Sequence, residues 1–135
     1  MKARSIVLVA CCALVLAAVP VLAHHSYSAE FDRNKPVTVT GKVTRVEWAN
    51  PHARIYCDAK TDKGEIVNWD FELGSPNGLM RLGWRRDSLK IGDEITVTGT
   101  LAKNAPNVGN ASSIVLVKTG KRLFAGSSEG DPATP

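Results

Sequence analysis

The chain holds three histidines, and two of them, His24 and His25, directly follow Val21-Leu22-Ala23. Val21 and Ala23 are small residues at the third and first positions before a signal-peptide cut. Cleavage there makes His24 the first residue of the mature protein. A terminal histidine presents an α-amine and an imidazole together, and the two chelate a metal ion. A second imidazole would complete a three-nitrogen histidine brace. Nitrogen donors of this kind favour Cu(II) over Zn(II) and the other first-row divalent ions. The α-amine ordinarily titrates near pH ~8, so the metal displaces a proton and affinity rises with pH. His25 is the neighbour in sequence, and His52, in Asn50-Pro51-His52, is the only other imidazole. The expected metal ligands are therefore His24, His25 and His52, with copper as the cofactor. Cleavage one residue earlier would leave Ala23-His24-His25, which binds Cu(II) through the amine, two backbone amides and the His25 ring. Leu22 before that cut disfavours it. The plainer reading is a polar terminus and a loop histidine that only hydrogen-bonds.

A second constellation lies on two expected strands. Arg54 and Tyr56 share one side of the first of these, Asn68 and Asp70 the same side of the next, and Trp48 ends the strand before them. These five are the expected ligand-binding residues, suited to a small ligand, a peptide or a partner protein. The competing reading is a solvated sheet face. Asp70 and Glu72, two apart on one side, would then pair with Arg54 or with water. No Ser/His/Asp arrangement is placed by motif, so nothing points to an enzyme. A copper-dependent redox enzyme would need a substrate pocket that the sequence does not suggest.

The elements that must position these residues begin after a leader. Lys2 and Arg4 precede an uncharged, almost wholly apolar stretch from Ser5 to Ala18, then Pro20 and the Ala23 cut. That order is a secretory signal, and the stretch is shorter than the roughly 20 apolar residues of a membrane span. No paired arginines precede it, which favours the general export route. Leu8-Val9-Ala10-Cys11 offers a competing lipid-attachment reading, weakened because apolar residues continue to Ala23. The expected location is periplasmic or secreted, with no stable membrane span after the leader is removed. Removing 23 residues from 135 leaves 112, one domain with room for a single core. The leader takes two of the 17 basic residues and none of the 13 acidic ones, so the net charge falls from +4 to +2. That excludes a nucleic-acid footprint. Cys11 and Cys12 leave with the leader, so Cys57 has no internal disulfide partner. Its alternation with Ile55 and Ala59 reads as a small buried hydrophobe.

The mature chain divides into an N-terminal arm over 24–35, a domain over 36–125 and a disordered tail over 126–135. Tyr27 and Phe31 are the arm's only large apolar residues and the ones able to pin it. From Pro36 to Trp48, Val37, Val39, Gly41 and Val43 hold one phase, whereas Val46 and Trp48 hold the other. The switch predicts a bulge near Thr44-Arg45. Strands follow over 54–60 and 65–73, joined by the turn Thr61-Asp62-Lys63-Gly64. Ser75 and Pro76 start a short helix, with Leu79, Met80 and Leu82 on its apolar side and Gly83 at its end. A fourth strand carries Ile95, Val97, Gly99 and Leu101. The loop 103–110 is rich in Asn, Pro and Gly, and a fifth strand runs over 113–118, before a short apolar end at Arg122-Leu123-Phe124. Three strands, one helix and two strands predict a mainly β fold, a five-stranded OB-like barrel with its helix between strands three and four.

Ala23-His24-His25-Ser26, Glu47-Trp48-Ala49-Asn50-Pro51-His52, Gly74-Ser75-Pro76-Asn77, Arg85-Arg86-Asp87-Ser88-Leu89-Lys90 and Leu123-Phe124-Ala125-Gly126 together resemble a family of small exported bacterial proteins classed as a domain of unknown function. The resemblance runs over nearly the whole mature chain. It implies an exported OB-like domain and supplies no activity. The sequence thus leads to an exported module that binds copper through its processed N-terminal histidine. The alternative is a metal-free module that captures a small ligand, peptide or periplasmic protein on the face of strands two and three and the loop from Lys103 to Asn110.

Overall fold

The computed structural model describes residues 27–126. The leader, His24, His25 and the tail from 127 lie outside the described residues. The elements run α1 (Tyr27–Glu30), β1 (Phe31–Glu47), β2 (Arg54–Lys60), β3 (Ile66–Glu72), α2 (Pro76–Arg81), β4 (Glu94–Ala102), β5 (Val108–Leu116) and β6 (Arg122–Phe124).

The fold is mainly β, and its strands are joined in the order β3-β2-β1-β4-β5-β6. Every pairing in that order is antiparallel. A parallel contact of Asp70, Phe71 and Glu72 with Val108, Gly109 and Asn110 joins β3 to β5 and closes a ring of five strands. β1 makes the ring possible by serving two neighbours. Its first part pairs with β4, from Phe31↔Ala102 to Lys42↔Glu94, and its last part with β2, from Lys42↔Asp58 to Glu47↔Arg54. The register with β2 slips between Val43 and Arg45, so Thr44 is the extra residue of the expected bulge. Gly41 lies close against β2: a Cβ there would approach the Asp58 carbonyl oxygen to 2.5 Å.

β1 starts at Phe31, inside the stretch expected to be an arm. A second slip between Asp32 and Pro36 lets the strand pass Pro36, which has no N–H to give to a ladder. Phe31 is 3% exposed and holds this beginning to the domain. β5 likewise starts at Val108, within the expected loop, because Val108-Gly109-Asn110 is the segment that closes the ring. β6 is a sixth strand, paired to the second part of β5 through Ser113↔Phe124 to Val115↔Arg122.

The alternating residues read from the sequence fill one core: Val39, Val43, Ile55, Cys57, Phe71, Leu73, Ile95, Val97 and Ile114 are all buried in it. α2 follows its expected grammar. Ser75 Oγ accepts from the Gly78 N–H at 3.2 Å, Pro76 opens the helix, and Gly83 ends it with φ +90°. Of the three residues expected on its apolar side only Leu79 is buried, together with Pro76; Met80 is exposed, and Leu82 is exposed at the C-cap just past the helix. No described helix is long and apolar enough to cross a membrane.

Candidate functional site

The Asn50-Pro51-His52 turn, with a cis bond before Pro51, leads directly into β2. His52 stands two residues before Arg54, and β2–β3 pairing sets Arg54 opposite Glu72 and Tyr56 opposite Asp70. His52 in the turn, Arg54 on β2, and Asp70 and Glu72 on β3 carry the network. His52 Nδ1 lies 2.8 Å from Glu72 Oε1. Arg54 Nη1 donates to Glu72 Oε2 at 3.2 Å, and its Nε and Nη2 donate to the two oxygens of Asp70 at 2.9 and 3.0 Å. Glu72 thus spends one oxygen on the imidazole and the other on the guanidinium. Its side chain is 9% exposed, a burial that a carboxylate tolerates only when it is bonded in this way.

Burial opposes the Arg54 charge. The hydrogen bond and field of Asp70, with Glu72 and Tyr56 adding, outweigh that effect and raise its pKa above an already high ordinary value. Arg54 is a fixed cation at any working pH. An ionised carboxylate only accepts hydrogen bonds, so against Glu72 in that form His52 donates from Nδ1. In the neutral ring the lone pair then lies on Nε2. A carboxylate holding Nδ1–H while Nε2 is left for a metal is the usual outer support of a histidine ligand.

The remaining ligand-binding candidates divide into separate groups. Tyr56 donates to Glu47 Oε2 at 3.3 Å and lies under the Arg45 guanidinium, 3.8 Å from its ring centre, while Arg45 pairs with Glu47 at 2.9 Å. Asn68 donates to Asp58 Oδ1 at 2.7 Å and to Thr44 Oγ1 at 3.4 Å. Trp48 leaves this face, packs against the core and meets Trp84 with ring centres 6.4 Å apart. Trp84 in turn donates to the Phe124 carbonyl at 2.8 Å. The structure therefore links Asp70, Arg54, Glu72 and His52 in one run of hydrogen bonds, and gives Tyr56, Asn68 and Trp48 their hydrogen-bond and packing partners outside it.

Beside Arg54 and Glu72 opens a cleft of about 260 Å³, lined also by Ala29, Glu30, Phe31, Asn104 and Val108. The start of the described chain forms one wall, held there by several bonds. The Lys103 N–H donates to the Glu30 carbonyl at 2.8 Å, and Lys103 Nζ donates to the Ser28 carbonyl at 2.6 Å. The Tyr27 hydroxyl bonds Thr100 Oγ1, and the Tyr27 ring lies 5.4 Å from that of Phe31. Glu72 stands on the expected strand two–three face and Asn104 in the 103–110 loop, whereas Glu30 was not expected at a site. Alternation placed Glu72 on the Arg54 side but gave no sign of its burial, and Glu30 joins the cleft only through tertiary packing.

His24 and His25 lie outside the described residues. Among the described residues no three His, Cys, Asp or Glu side chains gather as a metal site. Cys57, fully buried, has its thiol pushed up to about 11 by that burial and by Asp58, which makes it a poor ligand and nucleophile.

A family model described as a family of unknown function (DUF6152) matches residues 11–111. No protein of curated function matches the chain.

Proposed function

The chain belongs to this family of unknown function, and from that premise we propose that it is an exported module on an OB-like barrel that binds copper. His24, freed by cleavage after Ala23, supplies the α-amine and an imidazole, and His52 Nε2 supplies the further nitrogen. The barrel reading rests on the five-strand ring and on the helix between β3 and β4. The metal reading rests on one observation above all: Glu72 holds His52 Nδ1 and also borders the cleft whose other wall is the anchored segment Ala29–Phe31. His24 precedes Tyr27, the first residue of α1, by three residues, a reach of up to ~10 Å in extended chain. The metal reading requires His24 to reach His52 within that span.

The experiment is to export the full chain from a bacterial host, confirm His24 as the first residue by mass spectrometry, and titrate Cu(II) with EPR detection. A 1:1 site with nitrogen hyperfine structure is expected, weakened by His24→Ala and by His52→Ala. Loss on His24→Ala alone would leave His52 out of the site, and no tight binding in the processed protein would end the metal reading.

The cleft favours a second reading, a metal-free module that captures a small ligand against Arg54 and Asn104. In that case Asn104→Leu abolishes co-purification of the ligand, detected by native mass spectrometry, and the histidine variants leave it unchanged.

A further inference from the structure

Arg54 touches neither His52 nor any group assigned above to the metal, yet it is bonded on both of its edges. One edge is a two-bond fork with Asp70, which fixes the guanidinium plane, and Nη1 reaches from that plane to Glu72 Oε2 at 3.2 Å. The other Glu72 oxygen faces His52 Nδ1 at 2.8 Å. Glu72 is thus held from both sides and has no oxygen left over. The carboxylate torsion of a glutamate is broad when nothing restrains it, so the imidazole acquires a defined acceptor only when the second oxygen is tied down. We propose that Arg54 is a positioning residue for His52. Acting through Glu72, it selects the Nδ1–H tautomer and presents Nε2 as the ligating nitrogen, with Asp70 holding Arg54 in plane.

The proposal rests on the metal reading for its purpose, but its physical claim concerns the His52 ring and is measurable without metal. Lysine cannot replace arginine here. An ammonium is a point charge on a flexible stem and cannot hold a two-bond fork with Asp70 while reaching Glu72.

The test uses the full chain, metal-free, with ¹⁵N-labelled histidine at pH about 8.5, above the ordinary imidazole range. The wild-type His52 ring is expected to carry its proton on Nδ1. Arg54→Met is expected to shift the ring toward the Nε2–H form, and Arg54→Lys to fail to restore it. Because Arg54→Met leaves two carboxylates without their cation, the double variant Arg54→Met/Asp70→Asn removes one charge of each sign, and the same shift is expected there. Far-UV circular dichroism confirms that each variant is folded. Cu(II) affinity of the processed protein should fall by about 10–100-fold in the same variants, the usual loss when a ligand's outer support is removed. A His52 ring that keeps Nδ1–H in the folded double variant overturns the proposal and reduces Arg54 to a tie between β2 and β3. A tautomer shift in a protein that binds no copper upholds the positioning claim and ends the metal reading instead.

Discussion

At the scale of single residues, two side chains show what pattern tells and what it omits. The alternation of Ile55, Cys57 and Ala59 put Cys57 inside, and it is fully buried. The same alternation put Glu72 outside, and it is nearly as buried, because His52 and Arg54 close over it from a turn and a neighbouring strand. Period-two spacing tells which side of a sheet a residue takes, not what then covers that side. Burial of Cys57 has a measurable consequence. Its folded pKa is raised from 9.0 to about 11, so the folded chain keeps a proton that the unfolded chain loses. The resulting stability is fully present below pH 9 and is lost as pH rises through about 11. The loss should be on the order of 2–3 kcal/mol. Urea denaturation of wild type and Cys57→Ala across this range should show the difference between them shrinking as pH rises. A constant difference would mean that the thiol titrates normally.

At the scale of elements, the strands with strong alternation were legible and the closure of the ring was not. Val108-Gly109-Asn110 reads as loop because it continues the Asn-, Pro- and Gly-rich run from Asn104. Gly109 has no side chain where three strands meet: it lies opposite Leu101 of β4 and beside Phe71 of β3. A Cβ at Gly109 would come within 2.8 Å of the Phe71 ring and 2.9 Å of the Thr100 carbonyl oxygen. The requirement is tertiary, and no local pattern carries it. Gly109→Ala should therefore cost about 1–3 kcal/mol through overpacking and loosen the β3–β5 contact. Gly64 provides the contrast. It has φ +82° in the β2–β3 turn with open space around it, so Gly64→Ala should cost only the backbone strain, about 1–2 kcal/mol. Hydrogen exchange separates the two: Gly109→Ala should raise exchange at Phe71 and Asn110, whereas Gly64→Ala should leave both protected.

At the scale of the whole molecule, the described part of the expected arm forms α1 and the first five residues of β1, and that change sets the entering chain beside the candidate site. The sequence named Tyr27 and Phe31 as the residues able to pin the chain but could not say to what. Tyr27 is pinned to β4 through Thr100 and Phe31 by pairing with Ala102, while Lys103 holds the Ser28 and Glu30 carbonyls between them, beside the cleft that Arg54 and Glu72 share. If His24 and His52 hold one ion, the affinity depends on how often the entering segment is in place, and weakening the anchor should lower affinity without altering a ligand. Phe31→Ala is too blunt a probe, since emptying a buried phenylalanine site costs about 3–5 kcal/mol of global stability. Tyr27→Phe keeps the ring against Phe31 and removes only the hydroxyl that bonds Thr100, at a cost of about 1 kcal/mol confined to the entry. Its Cu(II) affinity in the processed protein should fall by up to about fivefold, the equilibrium equivalent of that cost. Exchange should rise at the Phe31 and Asp32 amides and stay unchanged in β2 and β3. An affinity equal to wild type alongside faster exchange at Phe31 would show that the metal does not depend on how the chain enters the domain.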